Sequence, residues 1–498
     1  MNSLPIEVLT NIISYCPTGR PSRSHQCLGP YALVSRQWQQ VVERRVFSSL
    51  KLRSSELDFF NTLYSAGGGR EHRRSALRKL RFIIESIPGT HEALESEPPS
   101  ERAAARYRDT EIAMHVLGKL YSVLSSWSLK KAIILEIEFP PETCLSKSAI
   151  DLISTTELVK RFEFHSTAQR DPILLVHIAA RMHDLQEIKW ELNDYDKSIN
   201  SVSRRKARYD FAKQLRSLVE TCSSLRTIEL RFVNETPADE SIVVPSILLP
   251  RISLDHLSES LKLLSSMTRL TTLVLHSVVI SEQFFEQSKS SPKTPMWPSL
   301  SHVKINYSPM VADGGWFFEQ EPSSEDVERF WGLISRRIAL ERIHKTQEDK
   351  AKVIDFDQEY DSEPDEHEDQ IDDEDGYLSD TEWADPFRIW PSQRLEAMLT
   401  MMAQTAAQMP ALKVFAAGSD APSCAPYQSF QFCYLMPGET HADDLWNFPR
   451  EDQHKHKRRL YWQVPRSWRM QDDLELAWRH LLGPESIIDY RDWNTHEH

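Results

Sequence analysis

The chain is poor in cysteine and glycine. Among its 498 residues there are six cysteines, and no two of them form a CxxC pair. Sparse cysteines of this kind are typical of a reducing compartment and argue against both a disulfide framework and a structural zinc site. Glycine occurs only 14 times, which leaves little material for the glycine-rich loops that bind phosphates.

Long apolar runs are also missing. No stretch approaches the roughly 18 consecutive apolar residues that a membrane-spanning helix needs. The first residues lack the basic and apolar segments of a secretory signal. We therefore expect a protein that is neither secreted nor inserted in a membrane and that is located in the cytoplasm, the nucleus or both. With 40% apolar residues, the chain can bury a sizeable core.

The chain has no broad excess of basic residues. Its net charge of −14 does not describe the chain as a whole, because one short segment carries it. Residues 355–382 hold fifteen Asp or Glu and no Lys or Arg, and the remainder is close to neutral. This distribution argues against a nucleic-acid partner. A segment this acidic cannot bury enough apolar surface to offset the conformational entropy that it would lose on ordering. We therefore predict that residues 348–382 form a disordered insertion. Within it, Ser362 and Ser379 precede acidic residues and are candidate phosphorylation sites.

Catalytic signatures are lacking as well. The sequence contains no HExxH, no GxSxG, no P-loop and no kinase signature. Cys424 and Cys433 have no histidine at ligand spacing. His454 and His456 lie in a basic run that fits a metal site, a nuclear-import signal or an ordinary solvated surface. We expect no metal, no cofactor and no enzymatic activity.

The chain begins with a pattern typical of a small helical unit. Apolar residues at helical spacing follow Pro5, and a loop rich in Pro, Gly and Ser separates them from a second such stretch over 31–47. We predict a helical domain over residues 1–52.

From residue 70 onward, helical stretches alternate with short strands of the pattern φxxφxφ, in which φ is apolar. Seven full copies begin at Leu77, Val159, Leu185, Leu225, Leu270, Leu300 and Leu412. This alternation predicts an α/β fold with parallel strands joined by crossover helices. Because no unit can bury its apolar face alone, we expect a solenoid over 70–347. A last repeat and an aromatic-rich cap are expected over 383–498, with a helix near 468–482 covering the end of the sheet.

Three blocks stand out in the N-terminal region: LPxEVLxxIIxY from Leu4, LVSRxW from Leu33 and FxxLxL from Phe47. In order and spacing they resemble an F-box, although the loop between the first two blocks is longer than usual. The resemblance implies that this unit binds the Skp adaptor of a cullin-based ubiquitin ligase. The expected adaptor contacts are apolar: Leu4, Pro5, Ile12, Val34 and Trp38.

The φxxφxφ units resemble leucine-rich repeats. The match is weaker, because the family's Asn or Cys eight positions after the first Leu appears only as Asn193. An irregular leucine-rich-repeat-like α/β solenoid is therefore the expectation. An F-box followed by such repeats is typical of many fungal F-box proteins.

The two resemblances imply a non-catalytic substrate receptor of a Skp–cullin–F-box E3 ligase, linked through the adaptor to cullin and RING subunits. The alternative is an interaction scaffold that does not promote ubiquitylation. A protein substrate is expected on the concave sheet face, with the aromatic C-terminal region as the other choice. Strand residues between the buried positions point to that face and align in two columns: Glu163, Lys189, Glu229, Val274 and Lys304, and His165, Glu191, Arg231, His276 and Asn306. Their mixed charge argues against an obligatory phosphodegron.

Replacing residues 355–382 with a short Gly/Ser linker tests the prediction that this segment is an insertion. Closing a shorter loop costs little free energy, so the melting temperature should stay close to that of the parent chain. Differential scanning calorimetry measures this, and cooperative loss of the folded state would show that the segment is structural.

Overall fold

The computed structural model describes fifteen ranges of the chain: 5–15, 28–64, 71–85, 99–127, 132–139, 153–165, 172–193, 201–233, 244–249, 253–286, 297–319, 390–420, 429–440, 453–465 and 468–492. Leu4, Cys424, the two candidate phosphorylation sites and the whole predicted acidic insertion lie outside these ranges.

The structure describes eleven α-helices, and local signals mark the ends of some of them. They are α1 Ile6–Tyr15, α2 Gly29–Ala32, α3 Arg36–Val46, α4 Leu57–Tyr64, α5 Glu71–Ala76, α6 Pro99–Ser125, α7 Pro172–Ala179, α8 Ser201–Thr221, α9 His256–Lys262, α10 Gln393–Ala406 and α11 Asp472–Leu482. The Ser35 hydroxyl caps α3 by accepting from the Trp38 amide at 3.3 Å. Gly483, with a φ of 82°, ends α11. None of the described helices is both long and apolar enough to cross a bilayer.

Twelve of the described strands form one sheet. These strands are β1 Ser49–Arg53, β2 Lys79–Ile83, β3 Ile133–Glu138, β4 Val159–His165, β5 Glu187–Asn193, β6 Thr227–Val233, β7 Thr272–Val278, β8 His302–Tyr307, β11 Val414–Asp420, β12 Ser429–Leu435, β13 Arg459–Val464 and β14 Ile487–Asp492. A separate antiparallel pair consists of β9 Phe318–Glu319 and β10 Trp390–Pro391. Strands follow one another across the sheet in chain order.

The pairing is parallel from β1 through β8 and on to β11. This confirms the predicted α/β class with mostly parallel strands. Because β1 is part of the sheet, the predicted domain boundary at residue 52 falls inside it: Leu50 and Leu52 belong to the sheet and not to the helical unit.

The C-terminal region departs from the expected arrangement. Strand β12 is antiparallel to both β11 and β13. Helix α11 connects the parallel strands β13 and β14, and its Leu474 and Trp478 lie in the main core. The helix predicted near 468–482 is therefore a crossover helix, and β14 occupies the end of the sheet.

One face of the sheet forms the core together with the helices. A continuous row of side chains, in register from strand to strand, crosses this face: Leu52, Phe82, Ile137, Phe164, Trp190, Leu230, Leu275, Ile305, Ala417, Phe432 and Trp462. All of them are buried in one cluster with side chains of α6, α7, α8 and α10. Burying a large apolar side chain contributes about 1.5–3 kcal/mol, so this layer holds the strands and helices together.

The described aromatic side chains of the C-terminal region lie mainly in the core. Trp462, Trp468 and Trp478 are fully buried. The ring centroids of Trp462 and Trp468 are 5.2 Å apart, and those of Phe432 and Trp478 are 4.9 Å apart. These rings stabilise the last strands and are not available as the alternative binding surface that the sequence suggested.

A buried ion pair connects α8 to the start of α9. Arg208 Nη2 donates to both oxygens of Asp255, at 3.0 and 3.1 Å, and both side chains are 4% exposed. Asp255 also caps α9 by accepting from the Leu257 amide and the Ser258 hydroxyl. Arg208 and Asp255 stabilise each other, because either charge without its partner would be buried away from water.

Asp255→Ala should lower the free energy of unfolding by about 3–5 kcal/mol, since it leaves the Arg208 charge buried without its carboxylate. Asp184→Ala is the matched control, because it removes a carboxylate whose side chain is 51% exposed and pairs with Lys160 at the surface. The control should cost less than about 1 kcal/mol. Chemical denaturation followed by tryptophan fluorescence measures both, and equal losses would contradict the role given to the buried pair.

Candidate functional site

The N-terminal helical unit has a small core of its own. Leu9 and Ile13 of α1 pack against Val41 and Val42 of α3, and all four side chains are buried. Arg45 of α3 donates to the carbonyl of Ile13. This cluster is separate from the core of the sheet, and so few buried side chains leave much apolar surface uncovered.

Exposed apolar side chains are concentrated on this unit. Among the described residues eleven large apolar side chains are exposed, and six of them lie here: Val8, Ile12, Tyr31, Leu33, Val34 and Val46. Leu33 is 87% exposed and Val34 63%. Groups of exposed apolar side chains are typical of surfaces that a partner covers. We call Pro5, Val8, Ile12, Leu33 and Val34 the hairpin surface.

Three of the expected adaptor contacts, Pro5, Ile12 and Val34, are exposed on this surface. Trp38 is half-buried and stacks on Tyr31, with ring centroids 5.9 Å apart. The sequence did not single out Leu33 for contact. Nor did it single out Val8, which belongs to the same apolar helical pattern as the buried Leu9 beside it.

Charged and aromatic contacts fasten the helical unit to the sheet. Arg73 of α5 donates twice to Glu43 of α3, from Nε at 3.2 Å and from Nη2 at 3.0 Å. The Arg73 guanidinium also lies over the Phe47 ring, 5.1 Å from its centroid, and Phe47 meets Tyr64 of α4 edge-on at 6.0 Å. A bidentate, largely buried pair of this kind holds a defined geometry.

The second candidate surface is the sheet face opposite the core, which we call the polar face. The first expected column is in register on adjacent strands, Glu163, Lys189, Glu229, Val274 and Lys304. The second column is in register from His165 through Glu191 and Arg231 to His276. It stops there, because a bulge shifts the β7 register between Leu275 and Val278, and Asn306 pairs with Gly418 on the other side.

Ion pairs already occupy much of the polar face. Lys79 Nζ lies 2.8 Å from Glu136 and 2.6 Å from Glu163, and Arg161 contacts Glu163 at 2.8 Å. Glu163 is therefore buried among cations of its own chain, whereas the sequence suggested a solvated substrate contact. Lys79 and Glu136 were not predicted to lie on this face. The sequence signal for both is a strand position next to buried residues, because successive side chains of a strand point to opposite faces.

The pKa values on this face reflect the pairing. Burial alone would raise the pKa of Glu163, but Lys79 and Arg161 outweigh it and hold that pKa below its usual value. Burial alone would likewise lower the pKa of Lys79, and its contacts with Glu136 and Glu163 raise it instead. Both groups are thus held in their charged forms at neutral pH.

Glu229 has a strongly lowered pKa. His276 is the largest influence, with Nε2 3.7 Å from Glu229 Oε1, and it lowers the pKa of the carboxyl to about 2 against the opposing effect of burial. Lys189 adds to this effect, with Nζ 2.7 Å from Oε1. Glu229 is the acceptor that joins β5, β6 and β7 on the polar face.

The basic run near residue 455 is divided by the fold. Lys455 and His456 are exposed, as a solvated surface requires. Arg459 is fully buried and donates to the carbonyls of Met436 at 3.0 Å and Glu439 at 2.7 Å. Arg459 is the first residue of β13, whereas Lys455 and His456 precede that strand.

No protein-family model matches the chain, and no curated protein sequence matches it. The function must therefore be inferred from the hairpin surface and the polar face.

Glu229→Gln should destabilise the fold in a pH-dependent way. The carboxyl has a usual pKa of 4.5 and a pKa of about 2 in the fold, so its ionised form stabilises the native state above pH 4.5, and this contribution disappears as the pH falls toward 2. The variant should be less stable by about 1–3 kcal/mol at pH 7, and the difference should vanish near pH 2.

Denaturation series at several pH values measure this difference. Glu187→Gln is the control, since Glu187 is 43% exposed and pairs with Arg161 at 3.3 Å; its effect should stay below about 1 kcal/mol. A pH-independent difference for Glu229→Gln would contradict the lowered pKa.

Proposed function

We propose that the chain is the non-catalytic substrate receptor of a Skp–cullin–F-box E3 ubiquitin ligase. In this proposal the helical unit is an F-box that binds the Skp adaptor, and through it cullin and RING subunits. The sheet with its crossover helices is an irregular leucine-rich-repeat-like solenoid that binds a protein substrate in the cytoplasm or nucleus.

The observation that carries the proposal is the concentration of exposed apolar side chains on the helical unit. Pro5, Ile12 and Val34, which the F-box resemblance assigns to the adaptor, are exposed together with Val8 and Leu33. The fully buried centre of a protein–protein interface is more apolar than the rest of the surface, and exposed apolar side chains that lie together fit such a centre.

Two features of the sheet support the second half of the proposal. Adjacent strands follow chain order, and the pairs from β1 through β8 and on to β11 are parallel, as expected when each strand–helix unit stacks on the one before it. The attachment through Glu43 and Arg73 would hold an adaptor at a set position relative to a substrate on the polar face.

Val34→Asp should weaken adaptor binding at least about thirtyfold, because loss of a central interface contact costs about 2 kcal/mol or more. Leu476→Asp is the matched control: Leu476 is 69% exposed on α11, and Val34 is 63% exposed. Both changes remove an exposed apolar side chain and add a charge, so they should affect solubility alike. Pull-down with purified Skp adaptor measures the difference.

Equal adaptor binding by the parent chain and Val34→Asp would overturn the proposed interface. Native affinity purification distinguishes the receptor from a scaffold, since cullin and RING subunits co-purify only with a receptor. Adaptor binding without those subunits would favour the scaffold.

A further inference from the structure

The Lys and Arg side chains of the polar face differ in whether they already contact a carboxylate of this chain. Lys79, Arg161 and Lys189 each contact a glutamate of this chain at 2.8 Å or less. A carboxylate from a partner would have to displace these internal contacts, and such an exchange gains little free energy. The paired half of the polar face, on β2 to β5, is therefore poorly suited to recruit an acidic partner.

Arg231 on β6 is different. It is exposed, and within the described part of the chain its side chain forms neither an ion pair nor a hydrogen bond. Its lateral neighbours are Glu191 on β5 and His276 on β7. These two groups are engaged elsewhere, because Glu191 lies 3.4 Å from His165 and His276 lies 3.7 Å from Glu229. Arg231 can therefore bind a new carboxylate without losing a contact to any residue that the structure describes.

The surroundings of Arg231 add an apolar contact. Val233 points to the same side of β6, because side chains two residues apart share a face, and it is 40% exposed. On the neighbouring strand the ladder is interrupted beside His276, where Ser277 has a φ of 53°. Bulges of this kind redirect side chains and recur beside binding sites.

We infer that Arg231 and Val233 are the anchor of the substrate surface, and that they take an acidic segment of a protein partner. A carboxylate of that segment would bind the Arg231 guanidinium through two parallel hydrogen bonds, and an adjacent apolar side chain would rest on Val233. A single arginine fits a carboxylate, whereas phosphopeptide sites use arginine clusters. The inference rests on the proposed function only in calling this partner a substrate.

Fluorescence polarisation with a labelled peptide, EELEELEE, tests the inference on the full chain. The parent chain should bind this peptide, less tightly as ionic strength rises, and should not bind KKLKKLKK. Arg231→Ala should weaken binding at least about tenfold, as expected for loss of a charge-assisted contact. Arg231→Glu should abolish it, and Arg231→Lys should retain part of it because the charge remains.

Arg226→Glu is the matched control, since Arg226 is an exposed arginine that precedes the other end of β6. Its binding should stay within about twofold of the parent value, because it lies five positions before Arg231, about 17 Å away along the strand. Equal losses for Arg226→Glu and Arg231→Glu would overturn the inference.

The acidic residues 355–382 of the chain itself are potential competitors, so the assay is repeated with that segment replaced by a Gly/Ser linker. Peptide binding that depends on Arg231 in either form supports the inference, and no binding in both forms overturns it.

Adaptor pull-down with Arg231→Glu separates the inference from the proposed function. This variant should bind the adaptor as well as the parent chain does. If every form fails to bind the adaptor while peptide binding still depends on Arg231, the proposed function is wrong and the inference stands. If the adaptor binds and the peptide does not, the inference alone is wrong.

Discussion

Strand register is the constraint on which both faces of this sheet depend. Side chains alternate along a strand, so a slip by one residue would exchange the buried and exposed sets. Here the apolar row is aligned without a slip from Leu52 on β1 to Trp462 on β13. Even the bulge in β7 returns Val278 to the buried side. The helices on one face and the charged rows on the other both follow from this alignment.

The same register explains the ion pairs of the polar face. Because Lys189 and Glu229 stand side by side on adjacent strands, their opposite charges meet at 2.7 Å and neutralise one another. Burial then strengthens these contacts, since a partly buried pair is screened less than an exposed one. The carboxylates and cations of this part of the surface are largely paired with one another, and Arg231 and Val233 are among the side chains of this face that remain exposed.

The helical unit shows the opposite arrangement. Its own core consists of four buried aliphatic side chains, and much of its remaining apolar surface faces solvent. The Glu43–Arg73 pair and Phe47 join it to the first helices beside the sheet. A unit held in place on one side and apolar on the other is suited to link a partner to the sheet, which is the role that the proposed receptor requires.

The sequence by itself determined the α/β class, the sequential strand–helix units up to β8 and most residues of the two columns on the polar face, because period-two and helical patterns are local. Only the tertiary structure decided which helical side chains point outward, as with Val8 beside buried Leu9. It alone reversed β12 and buried Glu163 beside Lys79, 84 residues away in the chain. These outcomes depend on which distant strands and helices meet, and no pattern within a single segment records that.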